Sequence, residues 1–98
     1  MNADAVTIVI VAWNQRDKTL DCLASVAALR HAPGRVVLVD NGSAPPLAEA
    51  VAGRFPAVEV LRLPDNLGFA GGYNAGLRHV LAGEPAAVLL LNNDTLLA

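Results

Sequence analysis

Two short polar segments carry the side chains best suited to chemistry. Asp40 follows an apolar run and opens the sequence Asp-Asn-Gly-Ser, and Asp94 follows another apolar run and closes the sequence Asn-Asn-Asp. A carboxylate at the end of a buried strand can accept hydrogen bonds from a base or a ribose. It is also a hard oxygen ligand for Mg²⁺ or Mn²⁺, which favour one or two protein carboxylates together with phosphate oxygens. The two segments therefore predict a nucleotide site, with Asp94 as the candidate metal ligand.

Each segment also has a structural alternative. Asp-Asn-Gly is a strong turn sequence by itself, so Asp40 could simply end a strand. Asp94 could cap a helix or form a turn, and Asn92 and Asn93 would serve that purpose equally well. The residue types alone leave these alternatives open.

The apolar runs in the sequence predict a buried parallel sheet. Three of them are nearly uninterrupted, which is typical of strands covered on both faces. These are Val6–Ala12, Arg35–Asp40 and Ala86–Leu91. A further run, Val58–Leu63, contains two charged residues and is flanked by prolines, which indicates the edge of the sheet.

Three helices are predicted between these strands. The first spans Lys18–Leu29, because its apolar residues recur at helical spacing, and Asn14 is its expected N-cap. The second begins near Pro45-Pro46, where a missing N–H costs nothing. The third follows the glycine-rich segment Asp65–Gly72 and ends near Gly83.

The order of elements predicts a three-layer α/β/α fold with a mainly parallel four-stranded sheet. Strand and helix alternate three times before a last strand, and crossovers of this length favour parallel, right-handed connections. With the third strand at the edge, the simplest strand order is 3-2-1-4. The winding then reverses between the first and fourth strands, and ligands bind at such a switch point. The loops Trp13–Gln15, Asp40–Ser43 and Asn92–Thr95 should converge there.

Size and composition bound the function. The chain has 98 residues, enough for one domain over 1–98, and its net charge of −2 without a basic run argues against nucleic-acid binding. Two separated histidines and one cysteine give no support to a His/Cys metal site. No apolar run approaches the roughly 20 residues of a membrane span, and no signal peptide is evident. We expect a cytoplasmic location, free or at the cytoplasmic face of the membrane.

Several other residues have both a functional and a structural interpretation. The segment Gly68–Gly76 could bring backbone N–H groups to a phosphate, but it matches neither the dinucleotide fingerprint nor the Walker loop. Close packing of a helix on the sheet would explain its glycines almost as well. Trp13 could stack on a base or sit half-buried in the core, whereas Tyr73 and Cys22 are expected to pack in the core.

A charge argument connects the two carboxylates to a metal. A nucleotide diphosphate is strongly anionic, yet two of its candidate contacts, Asp40 and Asp94, are acidic. Only Arg16 and Lys18 lie nearby in sequence to offset that repulsion. If the ligand is a nucleotide diphosphate, a divalent cation is therefore close to obligatory.

Taken together, four segments resemble the family 2 glycosyltransferases, inverting enzymes with the GT-A fold. Their order and spacing both fit, and the glycine-rich and Asn-Asn-Asp segments are most similar to the bacterial rhamnosyltransferase-type members. The segments are VTIVIVAWN (Val6–Asn14), VVLVDNGS (Val36–Ser43), PDNLGFAGGYNAG (Pro64–Gly76) and LLLNNDT (Leu89–Thr95).

The resemblance implies roles for individual residues. The residues it assigns to the nucleotide are Ala12, Trp13, Asn14, Asp40, Asn41, Gly71, Gly72, Asn74 and Asn93. Asn92-Asn93-Asp94 corresponds to the family's D-x-D motif, with Asp94 as ligand of Mg²⁺ or Mn²⁺ and Asn92 as a second candidate ligand. Because Asn92 stands where the family has its first acid, one negative charge is missing and ion binding should be weaker.

The resemblance also implies the reaction and which part of the protein binds each substrate. The activity would be inverting transfer of a sugar from a dTDP- or UDP-sugar to a hydroxyl of a lipid-linked or polysaccharide acceptor, in synthesis of bacterial cell-surface polysaccharide. The acceptor half and the general base are expected beyond Ala98, so we expect these 98 residues to bind the donor without transferring its sugar. The fourth strand would then expose an apolar edge, which predicts self-association.

Three other functions compete with this interpretation. The chain could be a non-catalytic interaction module or remnant of the same fold, although the retained Asp40 and Asp94 argue against that. A dinucleotide-dependent oxidoreductase would need the glycine fingerprint after the first strand, which is missing. A sugar-phosphate nucleotidylyltransferase would need a glycine-rich basic loop after Val6–Ala12, which is missing too.

Overall fold

The elements of the chain alternate between strand and helix, as the apolar pattern predicts. The structure is a computed structural model that describes residues 6–30, 33–83 and 87–97. In chain order the elements are β1 (Val6–Ala12), α1 (Arg16–Ala27), β2 (Arg35–Asn41), α2 (Ala48–Arg54), β3 (Glu59–Leu63), α3 (Gly68–Leu81) and β4 (Ala87–Asn92). The strands form one sheet in the order β3-β2-β1-β4, with every neighbouring pair parallel. This confirms the predicted strand order.

The alternation of side chains along the central strands builds a core on each face of the sheet. Ile8, Ile10 and Leu38 face α1 and α2, where they pack with Leu23 and Val51. The intervening valines of β1 and β2 face α3 and pack with one of its residues; this second cluster is Val9, Val11, Val37, Val39 and Val80. Both faces are covered, which explains why these strands are continuously apolar.

The first helix begins two residues earlier than predicted, and Asn14 is not its N-cap. The N-cap position belongs to Gln15, which has left-handed backbone angles and makes no side-chain capping bond. The Asn14 side chain instead accepts a hydrogen bond from the Ala44 amide at 2.9 Å. The amide oxygen that would have capped α1 therefore joins two loops.

The glycine-rich segment is mostly helix, where a loop was expected. Helix α3 begins at Gly68 and includes all the following glycines up to Gly76. A Cβ on Gly76 would lie 2.7 Å from Val9 Cγ1 and 2.9 Å from Val39 Cγ2. Close helix-on-sheet packing, the structural alternative for these glycines, is therefore present.

The remaining boundaries differ from the predictions by a few residues. Strand β3 starts at Glu59, and α2 starts two residues after the proline pair. Strand β4 is seen from Ala87, and the predicted start at Ala86 lies outside the described residues. Within the described ranges, none of the helices has the length and apolar character needed to cross a bilayer.

Candidate functional site

The loops after β1, β2 and β4 meet at the carboxyl edge of the sheet, as the topology predicts. The Asn14 backbone N–H donates to Ser43 Oγ at 2.7 Å, which joins the β1 and β2 loops. The Asn93 side chain donates to Gln15 Oε1 at 3.3 Å, which joins the β4 turn to the β1 loop. Hydrogen bonds therefore hold the three candidate segments together at the switch point.

Asp40 lies in this region, but its carboxylate is fully buried. Oδ1 accepts a hydrogen bond from the Ser43 backbone N–H at 3.0 Å, and Oδ2 accepts one from the Leu47 backbone N–H at 3.0 Å. Oδ2 also forms a 2.8 Å ion pair with Arg62 Nη1. Asp40 therefore organises the loop between β2 and α2, and its contact with a base or ribose stays a prediction.

The hydrogen bonds to Asp40 decide its charge state. Burial alone would raise the pKa of the carboxyl group. Donors from Leu47, Ser43 and Arg62 outweigh that effect and hold the pKa of Asp40 below its ordinary value. The side chain is therefore an anion at neutral pH, and its charge is directed at the loop and at Arg62.

Arg62 is the residue at this edge that the sequence interpretation missed. The sequence pattern indicates only a charge that interrupts an edge strand. In the structure, Arg62 lies opposite Asp40 in the β2–β3 register, and its guanidinium also donates to the Ser43 carbonyl at 2.8 Å. Residues opposite each other on neighbouring strands point to the same face. The signal was thus available: two opposite charges at matching positions near the ends of adjacent strands.

Asn41, the next residue, holds the start of α3. Its Oδ1 accepts a hydrogen bond from the Leu67 N–H at 3.0 Å, and its Nδ2 donates to the Gly68 carbonyl at 3.0 Å. Gly42 follows with a φ of +80°, and a Cβ there would lie 2.6 Å from Asn66 N. The β3–α3 loop is thereby pinned against the β2 loop.

A shallow cleft of about 170 Å³ opens beside Asn41. Trp13 forms part of its wall; the residue is about half-buried, as the structural alternative expects, but it belongs to neither core cluster. The lining residues are Val11, Trp13, Asn41, Asn66, Gly68 and Phe69. The cleft offers flat apolar surface next to amide groups, which is the kind of surface that binds a planar base.

The other residues assigned to the nucleotide lie in several environments. Ala12 is buried in the core beneath the β1 loop. Gly72 is buried against Val11, Gly71 packs on the Leu67 side chain, and Asn74 is exposed on α3. The structure therefore brings Trp13 and Asn41 to the cleft and leaves Ala12 and Gly72 as packing residues behind it.

The turn after β4 is held from both faces of the sheet. On one side, the Tyr73 hydroxyl lies 2.8 Å from the Leu91 carbonyl oxygen and 3.0 Å from the Asn92 side-chain amide. On the other side, the Asn93 amide donates to Thr19 Oγ1 at 3.2 Å. Asn93 is buried, whereas Asp94 is exposed. The turn therefore presents Asp94 to solvent at a fixed position.

The negative charge of Asp94 affects the pKa of a group on each side of the turn, Tyr73 and Cys22. Burial raises the pKa of the Tyr73 phenol, and the Asp94 carboxylate raises it further. The same two effects raise the pKa of the Cys22 thiol, which is buried in α1 as expected for a packing residue. Asp94 thus supplies a negative potential at the switch point.

The donor set of this turn fits a divalent cation only if the ligand supplies further oxygens. Among residues 6–30, 33–83 and 87–97, no three His, Cys, Asp or Glu side chains lie together as a ready-made cation site. The turn offers the carboxylate of Asp94 and the amide of Asn92. Mg²⁺ and Mn²⁺ are often held by one or two such groups plus phosphate oxygens, so the set fits an ion that arrives with a diphosphate.

A cavity of about 260 Å³ lies far from this chemistry, at the amino-terminal edge of the sheet. It is bordered by the ends of α1 and α2 and by the starts of β2 and β3, and among the described residues that line it Arg35 alone is charged. Arg35 is held by a 2.7 Å ion pair with Glu59. Because the described residues of this lining offer no convergent polar groups, the smaller cleft at the carboxyl edge is the better candidate site.

Comparison with curated proteins gives relatives that are glycosyltransferases. The galactofuranosyltransferase GlfT1 of Mycolicibacterium smegmatis is 31% identical over 93 residues, which cover 95% of this chain and 31% of that protein. The GlfT1 of Mycobacterium tuberculosis is 32% identical over 93 residues, which cover 93% of this chain and 31% of that protein. The chain therefore spans about a third of the length of these relatives.

Comparison with solved structures gives the fold. The mannosyltransferase PcManGT from Pyrobaculum calidifontis, solved in complex with GDP-Man and Mn²⁺, superposes with a TM-score of 0.71 at 21% identity. The superposition covers 94% of this chain and 28% of that one. This confirms the predicted GT-A arrangement of the strands and helices.

The family itself is given by the sequence. The family described as glycosyl transferase family 2 matches residues 7–98. All four segments that carry the resemblance lie almost entirely within that range. The chain belongs to glycosyl transferase family 2.

Proposed function

We propose that this chain is the nucleotide-binding part of an inverting glycosyltransferase that uses a dTDP- or UDP-sugar as donor. The observation that carries the proposal is the meeting of the β1, β2 and β4 loops at the switch point, with Asp94 exposed there. Family membership supports it, and so does the GDP-Man and Mn²⁺ complex of the PcManGT neighbour.

Each part of the edge has a task in this proposal. Trp13 and the cleft beside Asn41 receive the base. Asp40 supports the wall of that cleft, because it holds the loop after β2 in place. Asp94, with Asn92, holds the divalent cation, which when bound neutralises the charge of the departing diphosphate. Asp40 is enclosed and Asp94 is assigned to the cation, and the family resemblance matches none of these 98 residues to a general base. We therefore expect this 98-residue chain to bind the donor without transferring its sugar.

The proposed pathway and location follow from likeness to the relatives. We place the activity in synthesis of bacterial cell-surface polysaccharide on the cytoplasmic side, with a lipid-linked or polysaccharide acceptor. The support is that the curated relatives are named galactofuranosyltransferases.

A nucleotide titration tests the binding proposal. We expect UDP or dTDP to quench the fluorescence of Trp13, the one tryptophan of the sequence, and to bind more tightly with Mn²⁺ than without it. Asp94→Asn should weaken the Mn²⁺-dependent binding by about tenfold or more, which is about 1.4 kcal/mol, because it removes the charged ligand.

Asp65→Asn is the matched control, since Asp65 is an exposed carboxylate in the loop after β3. It removes the same charge from the same edge and should leave the affinity within about twofold. Equal affinities for the wild type and Asp94→Asn would contradict the role of Asp94. Absence of binding by either nucleotide, with and without Mn²⁺, would favour a non-catalytic interaction module.

The free edge of β4 supports the proposed self-association. Leu89 and Leu90 point to opposite faces of the sheet and are 44% and 43% exposed. Among the described residues, β4 pairs with β1 alone, so no strand lies against its other edge. We therefore infer a second copy of this chain as the occupant, with its β4 pairing across a two-fold axis.

Light scattering at increasing concentration tests this pairing. The wild type should shift from monomer to dimer, and Leu90→Lys should remain monomeric because a lysine on an edge strand opposes pairing. Leu67→Lys is the control, since Leu67 is 56% exposed but lies at the start of α3. A wild-type monomer at all concentrations, or dimers in all three proteins, would contradict pairing through β4.

A further inference from the structure

The Tyr73 hydroxyl has one proton but contacts two oxygen atoms. Its oxygen lies 2.8 Å from the Leu91 carbonyl oxygen and 3.0 Å from Asn92 Oδ1. A phenol donates one hydrogen bond and accepts others. The backbone carbonyl can only accept, so the Tyr73 proton belongs on the bond to Leu91.

The second contact must then run in the opposite direction. The oxygen and nitrogen of a side-chain amide have nearly the same outline, and their positions follow from the hydrogen-bond network. Asn92 satisfies the Tyr73 oxygen only if its Nδ2 donates to it. After the two atoms are exchanged, the Tyr73 hydroxyl donates to the Leu91 carbonyl and accepts from Asn92 Nδ2, and Oδ1 of Asn92 is turned away from Tyr73.

We propose that Tyr73 is a positioning residue that orients the Asn92 side-chain amide so that its oxygen faces the carboxyl edge beside Asp94. The proposal deepens the proposed function and rests on it for the nature of the ligand, a divalent cation. It gives the Asn-Asn-Asp segment two oxygen ligands instead of one. It also explains how a neutral amide can act where the family has an acid.

The neighbouring contacts make this orientation stable. Tyr73 packs against the core on the α3 face of the sheet. The Asn92 backbone carbonyl accepts a bond from Thr95 N at 3.1 Å, so the strand end itself is fixed. Asn93 is held from the other face by Thr19. The backbone on both sides of the Asn92 side chain is therefore fixed, and the side-chain contact that orients its amide is the one with the Tyr73 hydroxyl.

Nuclear magnetic resonance of the side-chain amides tests the orientation without any metal. Asn92→Asp removes one NH₂ signal pair and so assigns it. In Tyr73→Phe we expect that pair to move and its exchange with water to accelerate, while the backbone amides of β4 keep their shifts. Thr19→Val is the matched control, since it removes an acceptor of Asn93 and should leave the Asn92 pair in place.

Mn²⁺ binding in the presence of UDP tests the consequence. Tyr73→Phe should weaken Mn²⁺ binding by about tenfold, the usual cost of losing a residue that orients a metal ligand. In an Asn92→Ala background the same change should have no further effect, because Tyr73 acts through Asn92.

Two results would overturn the proposal. One is an Asn92 amide signal that does not respond to Tyr73→Phe. The other is a loss of Mn²⁺ affinity that persists in the Asn92→Ala background, which would show a merely structural role. A wild type that binds no Mn²⁺ with UDP would refute the cation in the proposed function, and the amide signals would still decide the orientation.

Discussion

Asp40→Asn is expected to destabilise the chain by about 2–4 kcal/mol, because a fully buried carboxylate loses two backbone N–H hydrogen bonds and its ion pair with Arg62, whose side chain is 39% exposed. Both carboxylate oxygens accept hydrogen bonds from N–H groups, so an amide nitrogen in either position would face a donor. Arg62 would lose its anionic partner as well. Urea denaturation at neutral pH measures the change in the free energy of unfolding.

The same carboxylate predicts a pH dependence. The folded state lowers the pKa of Asp40, so it binds fewer protons than the unfolded state near that pKa. The stabilisation is therefore complete above the unfolded pKa of about 3.9 and is lost as the pH falls through the lower, folded value. Wild-type stability should fall more steeply in acid than that of Asp40→Asn.

Asp65→Asn is again the control, because its side chain is exposed. A surface change of this kind should stay within about 0.5 kcal/mol. If Asp40→Asn also stayed within that range, the carboxylate would not hold the loop after β2.

Gly76→Ala should destabilise the chain by about 1–3 kcal/mol, even though alanine favours helix more than glycine does. The new Cβ would lie 2.7 Å from Val9 Cγ1 and 2.9 Å from Val39 Cγ2, and both valines are fully buried in the centre of the sheet. Neither can move without displacing other core residues. Thermal unfolding should show a lower midpoint.

Gly53→Ala is the matched control for this substitution. Gly53 is also helical, and no atom lies within 4 Å of the position that a Cβ would take there. The same change should therefore stabilise the chain by about 0.5–1 kcal/mol through helix propensity alone. If Gly76→Ala and Gly53→Ala changed the stability in the same direction, the packing argument for α3 would be contradicted.

Much of the fold follows from local patterns in the sequence. The strands β1 and β2 are buried on both faces, so their residues need no alternation, and the charged run at Glu59–Leu63 has the character of an edge. Strand order then follows from short crossovers of one hand. The first residues of α1 and α3 could not be predicted from the sequence, because they depend on contacts with other loops.

The candidate site was less predictable for the same reason. Nothing local to Asp40 shows that its carboxylate would be enclosed, since its partners are Leu47 and Arg62, up to 22 residues away. Asn14 has the residue type of an N-cap, but an amide of the β2 loop binds its oxygen. Trp13 is exposed because β1 ends at Ala12, so that Trp13 lies in the loop at the carboxyl edge of the sheet.

The central claim is that a nucleotide and its cation bind at the carboxyl edge of the sheet. Paramagnetic broadening of ¹⁵N-labelled backbone signals by Mn²⁺ in the presence of UDP tests it most directly, with Mg²⁺ as the diamagnetic reference. We predict that the signals of Asn93–Thr95 disappear first, followed by those of the Trp13 and Asn41 loops. Broadening that is strongest around Phe55–Val58, at the opposite edge, would contradict the claim.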